Sequence, residues 1–139
     1  MSSIADNIGS VTRRIQKATL QAGREPGSVR LLAVSKTRPA EDLKAAFEAG
    51  QVAFGENYLQ EALDKMQALS GTEGIEWHFI GPIQSNKTRQ IAEAFAWVHS
   101  VDRLKIARRL SEQRPETLPP LNICLQVNIN NEDSKSGCT

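Results

Sequence analysis

Apolar residues at Ile4, Ile8, Val11, Ile15, Ala18 and Ala22 recur at alternating spacings of four and three, the period of a helix with one apolar face. Ser2 or Ser3 is placed to cap its start, and Gly23 with Pro26 to end it. The pattern then changes. The run from Leu31 to Val34 reads as a buried strand at about 30–35, and "AEDLKAAFEAG" as a helix that begins after Pro39 and stops at Gly50. "VAFGEN" is a short second strand. "NYLQEALDKMQAL" is helical, with Leu59, Ala62, Leu63, Met66 and Leu69 on one side. Two further pairs and a last strand follow the same alternation: "IEWHFIG" with "QSNKTRQIAEAF", "WVHSVD" with "RLKIARRLSEQ", and the strand "LNICLQVNI".

Five strands alternating with helices predict a parallel sheet with helical crossovers, because parallel neighbours cannot be joined by a tight turn. Strand starts fall about 20 to 26 residues apart, and "GTEG" and "RPETLPP" are ordinary punctuation between units. Two architectures accommodate this. A doubly wound sheet of the flavodoxin type has five strands and about this length. A β/α barrel has eight strands and typically ~250 residues. The last residues, "NINNEDSKSGCT", read as a loop entering a sixth unit, where the doubly wound reading needs a closing helix. The pattern therefore favours α/β of the barrel type: an incomplete (β/α)8 TIM-type barrel, about five of eight units, with an extra N-terminal helix. Residues 1–139 read as a single domain.

Composition narrows the function. The 139 residues are 40% hydrophobic and 24% charged, which fits a globular chain rather than a disordered one. A net charge of +1 gives no bulk attraction to nucleic acid or to an anionic membrane, so neither is expected as a partner. No apolar run reaches membrane-spanning length, and "MSSIADNIGSVTRRIQ" lacks a signal-peptide core. Cys124 and Cys138 are too few for a disulfide framework and form no CxxC pair. A cytoplasmic protein without a cysteine metal site is the expectation.

Polar residues gather where a parallel sheet places its chemistry, at the C-terminal ends of the strands: Ser35-Lys36, Glu56-Asn57, Gly81, Ser100 to Asp102 and Asn128 to Asn130. Lys36 stands out. An ordinary surface lysine, with a pKa near ~10.4, is a poor nucleophile at neutral pH. Burial among apolar walls or a nearby helix N-terminus would free its amine to attack a carbonyl and form a Schiff base. Aldolase-like enzymes and pyridoxal phosphate proteins both use such a lysine. For a single strand-end lysine, a side chain that snorkels to solvent is the plainer reading. His78 and His99 alternate with apolar neighbours inside strands, which favours hydrogen-bonded barrel histidines over metal ligands. Lys87 and Arg89 open a helix and read as a solvated face. Glu56 either orients neighbours at the rim or starts its helix.

The wording around Lys36 adds to this. "LLAVSKTRPAEDL", "FGENYLQEALDK", "EWHFIGPIQSNKTR" and "VNINNEDSKSG" occur in the order and spacing of the pyridoxal phosphate homeostasis proteins, and together they closely resemble that family. Its members are single-domain barrels similar to the N-terminal domain of alanine racemase. The resemblance runs along the whole chain and covers about the first three-fifths of the family's usual length. It implies pyridoxal 5'-phosphate (PLP) as cofactor, held as a Schiff base on Lys36, with Asn57 close to the cofactor ring and the "SKSG" lysine, Lys135, in a secondary role. A helix cap is the plainer reading of Asn57, and a solvated loop charge that of Lys135. The family's phosphate-binding groups and the arginine near its pyridine nitrogen come from later strands, so tight cofactor binding by these 139 residues alone is not expected.

The function implied is intracellular PLP homeostasis by a carrier rather than by an enzyme, with cofactor-accepting apoenzymes as protein partners. Two alternatives stand beside it. One is a PLP enzyme resembling alanine racemase, which needs acid–base groups on both faces of its substrate; the racemase takes one from a tyrosine of a second domain, whereas the only tyrosine here is Tyr58, next to Asn57. The other is an inactive fragment that self-associates through exposed sheet edges.

Overall fold

The computed structural model describes residues 3–139, so Ser2 as a cap lies outside the described residues. Helix α1 (Ile4–Gln21) starts from Ser3, whose hydroxyl accepts from the Asp6 amide while the Asp6 carboxylate accepts from the Ser3 amide. This reciprocal cap satisfies two donors that a helix start leaves free. The inward stripe differs from the one predicted. Thr12 and Thr19 turn inward where Val11 and Ala18 were expected, and Val11 and Ala18 are exposed. Thr19 is tolerated in a buried position because its hydroxyl donates to the Ile15 carbonyl one turn back, at 2.7 Å.

Five parallel strands follow in the order of the chain: β1 (Ala33–Val34), β2 (Ala53–Glu56), β3 (Glu76–Phe79), β4 (Trp97–Val101) and β5 (Asn122–Leu125). Between them lie α2 (Ala40–Glu48), α3 (Leu59–Ala68), α4 (Thr88–Ala94), entered through a 3-10 turn at Ser85–Lys87, and α5 (Leu104–Gln113). The order removes the flavodoxin-type alternative, which would bury β1 inside the sheet; here β1 is an edge. The fold is α/β, an open arc of five β/α units of the TIM-barrel type.

The register divides each strand between two faces. Ala33 pairs with Phe54, Phe54 with Trp77, and Phe79 with Val98, and this face meets the helices. Phe54 packs with Leu43, Ala46 and Leu69 beneath α2 and α3, joined by Ile4 and Ile8 of α1. Phe79, Val98 and Val101 pack with Ala62, Ile91, Phe95, Ile106 and Leu110 beneath α3 to α5. Trp77 touches both clusters and joins them into one layer. The opposite, concave face carries Val34, Gly55, His78 and Trp97.

Strands β1 and β5 are shorter than the apolar runs that announced them. Each is an edge with one neighbour, so part of each run has no ladder partner. At β1 a side chain takes over: the Gln51 amide donates to the carbonyls of Leu31 and Ala53, both at 2.8 Å. At β5 the pairing with β4 is irregular between Val98 and Val101. Ile123, Leu125 and Val127 of this last unit are 47%, 66% and 48% exposed, an apolar surface that no helix of the chain covers.

Arg114 closes the last helical unit. Its guanidinium donates to the carbonyls of Ala92 and Phe95, at 2.7 and 2.6 Å, and to that of Pro119 at 2.9 Å. One planar fork thus ties the end of α4 to the segment entering β5. Arg114→Ala should destabilise the chain by about 1–3 kcal/mol, the cost of half-buried carbonyls left without donors. Arg114→Lys should recover only part of this, since a point ammonium cannot reproduce the fork. Urea unfolding of the three proteins checks the order.

Candidate functional site

The C-terminal strand ends form a rim, and the two faces of the sheet give it two parts. On the helix side, Ser35 follows β1, Glu56 ends β2 and Lys65 reaches down from α3. Glu56 is fully buried and Lys65 is 6% exposed. The Lys65 ammonium lies 2.9 Å from both Glu56 carboxylate oxygens, 2.7 Å from the Ser35 carbonyl and 2.8 Å from Glu61 Oε1. The Ser35 hydroxyl donates to the second Glu56 oxygen. A buried charge is tolerated only when paired and hydrogen-bonded, and here the three ammonium protons are matched by three acceptor groups. The Lys65 hydrogen bond holds the Glu61 carboxyl below its ordinary value, against a smaller opposing effect of burial and with help from the Thr37 amide and the Lys65 charge.

Lys65 is the residue that the sequence reading missed. Of the predicted stripe Ala62 and Leu69 are buried, but Lys65 is buried where Leu63 is only half-buried. The signal was present: a lysine three residues after Ala62 and four before Leu69 lies on the buried side, which demands an acidic partner. Glu56 supplies it, and so orients the rim from behind instead of starting α3.

Val34 pairs with Gly55, and Lys36 and Asn57 each follow two residues later, just past the C-terminal ends of β1 and β2. Lys36 is exposed, which corrects the expectation of a lysine desolvated among apolar walls: the strand-end position holds, the burial does not. The next residue, Thr37, has φ +63°, a left-handed conformation that is costly for a β-branched side chain, on the order of 1–3 kcal/mol. Its amide donates to Glu61 Oε1 and its hydroxyl to the Lys36 carbonyl.

Asn57 is half-buried, and its backbone packs on Gly81. A Cβ at Gly81 would stand 2.1 Å from the Asn57 carbonyl oxygen, so only glycine lets the ends of β2 and β3 approach this closely. The Ser100 hydroxyl donates to the Gly81 carbonyl and extends the rim to β4. A groove of about 380 Å³ runs outward from it, lined by Asn57, Tyr58, Gln60, Pro82 and Lys87. Lys87 and Arg89 are both exposed, in keeping with a solvated helix face. Lys135 is exposed in the loop after β5. That loop is docked at the rim: the Gly137 amide donates to Asp102 Oδ2 at 3.1 Å, and Gln126 Nε2 donates to the Ser136 carbonyl.

The concave face below the rim holds a polar chain. Arg30 pairs with Glu76 at 3.0 Å, Glu76 accepts from His78 Nε2 at 2.7 Å, and His78 Nδ1 lies 2.8 Å from His99 Nε2. Trp97 stacks on the His78 ring at 5.6 Å. With both rings neutral, the His78 N–H serves the carboxylate and the His99 N–H serves His78 Nδ1, so each ring has one donor and both are used. Both histidines are therefore hydrogen-bonded within the sheet, and no group of three or more metal-ligating side chains occurs among the described residues. Burial holds His78 below its ordinary value despite the opposing pull of Glu76, and burial with the neighbouring His78 lowers His99.

Residues 6–139 match the model of the alanine racemase N-terminal domain. The chain belongs to that family. Within it, the pyridoxal phosphate homeostasis protein of Pseudomonas aeruginosa is 65% identical over 138 residues, which are 99% of this chain and 60% of that protein. The chain thus spans about three-fifths of that relative's length. Among solved structures, PipY of Synechococcus elongatus PCC7942 with PLP bound is 40% identical, with a TM-score of 0.76 over 89% of this chain and 57% of that one. Alanine racemase from E. faecalis is 21% identical with a TM-score of 0.61, covering 94% of this chain and 34% of that one, a likeness of fold alone.

In this alanine racemase N-terminal domain the lowered histidines link stability to pH. The folded chain resists protonation that the unfolded chain accepts near the ordinary value of 6.5. Their contribution is complete above that value and is lost as pH falls below it toward the folded values. Glu76, also lowered, acts only below its ordinary value of 4.5. The urea midpoint should therefore drop between about pH 7.5 and about pH 5.5. The double variant His78→Gln/His99→Gln should flatten that slope, and an unchanged slope would contradict the assignment.

Proposed function

We propose that residues 1–139 are the N-terminal part of a PLP-binding barrel that serves intracellular PLP homeostasis and holds the cofactor as a Schiff base on Lys36. The observation that carries this reading is the arrangement around Lys36: an exposed residue just past the C-terminal end of β1, on a backbone fixed at both neighbouring residues. The 65% identity to a pyridoxal phosphate homeostasis protein and the 40% identity to a protein solved with PLP support it. These side chains fit part of such a site. When bound, the cofactor supplies an aldehyde for an amine to condense with. Lys36 offers the amine, Asn57 an amide at the end of the neighbouring strand, and Lys135 a cation on a loop tied to Asp102.

The role is that of a carrier in the cytoplasm, delivering to cofactor-accepting apoenzymes, rather than of a racemase. Tyr58, the one tyrosine in the sequence, precedes α3 and is 54% exposed, and among the described residues no second acid–base group is set opposite Lys36. Among the described residues no helix is long and apolar enough to cross a membrane.

Borohydride reduction of the chain mixed with PLP, followed by peptide mapping, should place the pyridoxyl group on Lys36. Labelling elsewhere with Lys36 unmodified would refute the assignment. Lys36→Ala should abolish the label and change stability by less than about 1 kcal/mol, as for other exposed side chains.

The same polypeptide should self-associate. β5 is an edge strand, and Ile123, Leu125 and Val127 beside it are exposed, a combination that favours edge pairing and apolar contact. Sedimentation should show species heavier than the 15.3 kDa monomer that grow with concentration. Leu125→Lys should shift the distribution toward monomer.

A further inference from the structure

The buried cluster behind β1 and the exposed amine in front of it meet in the backbone of three residues. Ser35 is held by its amide, which donates to the Gly55 carbonyl at 2.9 Å, and by its carbonyl, which accepts from the Lys65 ammonium at 2.7 Å. Thr37 is held by its amide, which donates to Glu61 Oε1. That same oxygen accepts from Lys65 at 2.8 Å. The Lys36 carbonyl accepts from the Thr37 hydroxyl. Both peptides flanking Lys36 are therefore tied to α3: the Ser35 carbonyl, which also accepts from the Arg38 amide, meets the Lys65 ammonium, and the Thr37 amide meets the Glu61 carboxylate that the same ammonium contacts.

We propose that Lys65 and Glu61 are positioning residues for Lys36: one buried ammonium and the carboxylate beside it clamp the peptides on either side of Lys36 and aim its amine along the rim toward Asn57. This rests on Lys36 being the cofactor-bearing amine. The logic is that of preorganisation. A long lysine side chain is flexible, so its approach to an electrophile is governed by where its Cα and Cα–Cβ bond are held. Thr37 in a left-handed conformation marks a backbone that its surroundings over-determine. Nothing in ordinary packing requires Lys65, since an apolar residue at that position would fill the space without the need for Glu56.

The test separates a positioning role from a structural one. Glu61 has a side chain 28% exposed, so Glu61→Ala removes the acceptor for the Thr37 amide and leaves the buried Lys65–Glu56 pair in place. Glu61→Gln keeps an oxygen that can accept from both. The readout is the rate of pyridoxylation at each lysine, by timed PLP and borohydride exposure and peptide mapping, together with hydrogen exchange of the Thr37 amide. In Glu61→Ala, labelling at Lys36 relative to the other lysines should fall by about tenfold, the scale of a modest misplacement of a reacting group, and Thr37 exchange should accelerate. Glu61→Gln should restore both. The double variant Glu56→Gln/Lys65→Met, which removes the buried charges together, should lower Lys36 labelling in the same way; should it fail to fold, the Glu61 comparison decides. Unchanged Lys36 selectivity in folded Glu61→Ala, with the wild-type chain labelled at Lys36, overturns the positioning role alone. A wild-type chain not labelled at Lys36 overturns the cofactor assignment and this inference with it.

Discussion

The rim depends on a charge that cannot be hydrated. Lys65 is buried between sheet and helix, and moving an ammonium out of water costs several kcal/mol even after relaxation. The chain offsets that cost only if β1, β2 and α3 converge so that the Ser35 carbonyl and the carboxylates of Glu56 and Glu61 all reach Nζ. A shift of one residue in the β1–β2 register would turn Ser35 to the other face and leave the ammonium short of a partner. The ion pair adds little net stability; it penalises the wrong alignments, and an apolar contact in the same place would be far more forgiving.

The period of a strand then divides the work between neighbours in sequence. Val34 and Gly55 face the concave side, and the residues after them, Ser35 and Glu56, meet on the helix side, with Lys36 and Asn57 next in the chain. Each strand end thus contributes one residue to the scaffold and the next to the rim. Gly81 completes the arrangement by giving up its side chain, since any Cβ would push the Asn57 carbonyl away.

Much of this could be read in the sequence, for identifiable reasons. The alternation of strands and helices was plain because apolar runs such as "LLAV" and "ICLQVNI" are separated by amphipathic stretches of helical period. Their ends were not, because pairing depends on a neighbour, and β1 and β5 have only one each. Lys36 was legible from its place at a strand end and from the motif around it, whereas its exposure depends on what lies across the concave face. Lys65 was passed over because a lysine in a helix is ordinarily a surface residue, and its partner Glu56 lies nine positions away on a different element. On α1, Thr12 and Thr19 displaced Val11 and Ala18 because the direction of the buried stripe is set by packing against α2 as well as by periodicity.

The strand order has a consequence for how the molecule comes into being. Every strand after the first lies beside the one made just before it, and the helices after β1 pack against strands adjacent to them in the chain. Contacts therefore span short stretches of chain, so little loop entropy must be surrendered before each is rewarded. A polypeptide leaving the ribosome at about 5–20 residues per second has time to settle one unit before the next arrives. The newest strand stays open on one edge until its successor emerges, so the growing molecule carries one fixed open edge at β1 and one that advances along the arc as synthesis proceeds.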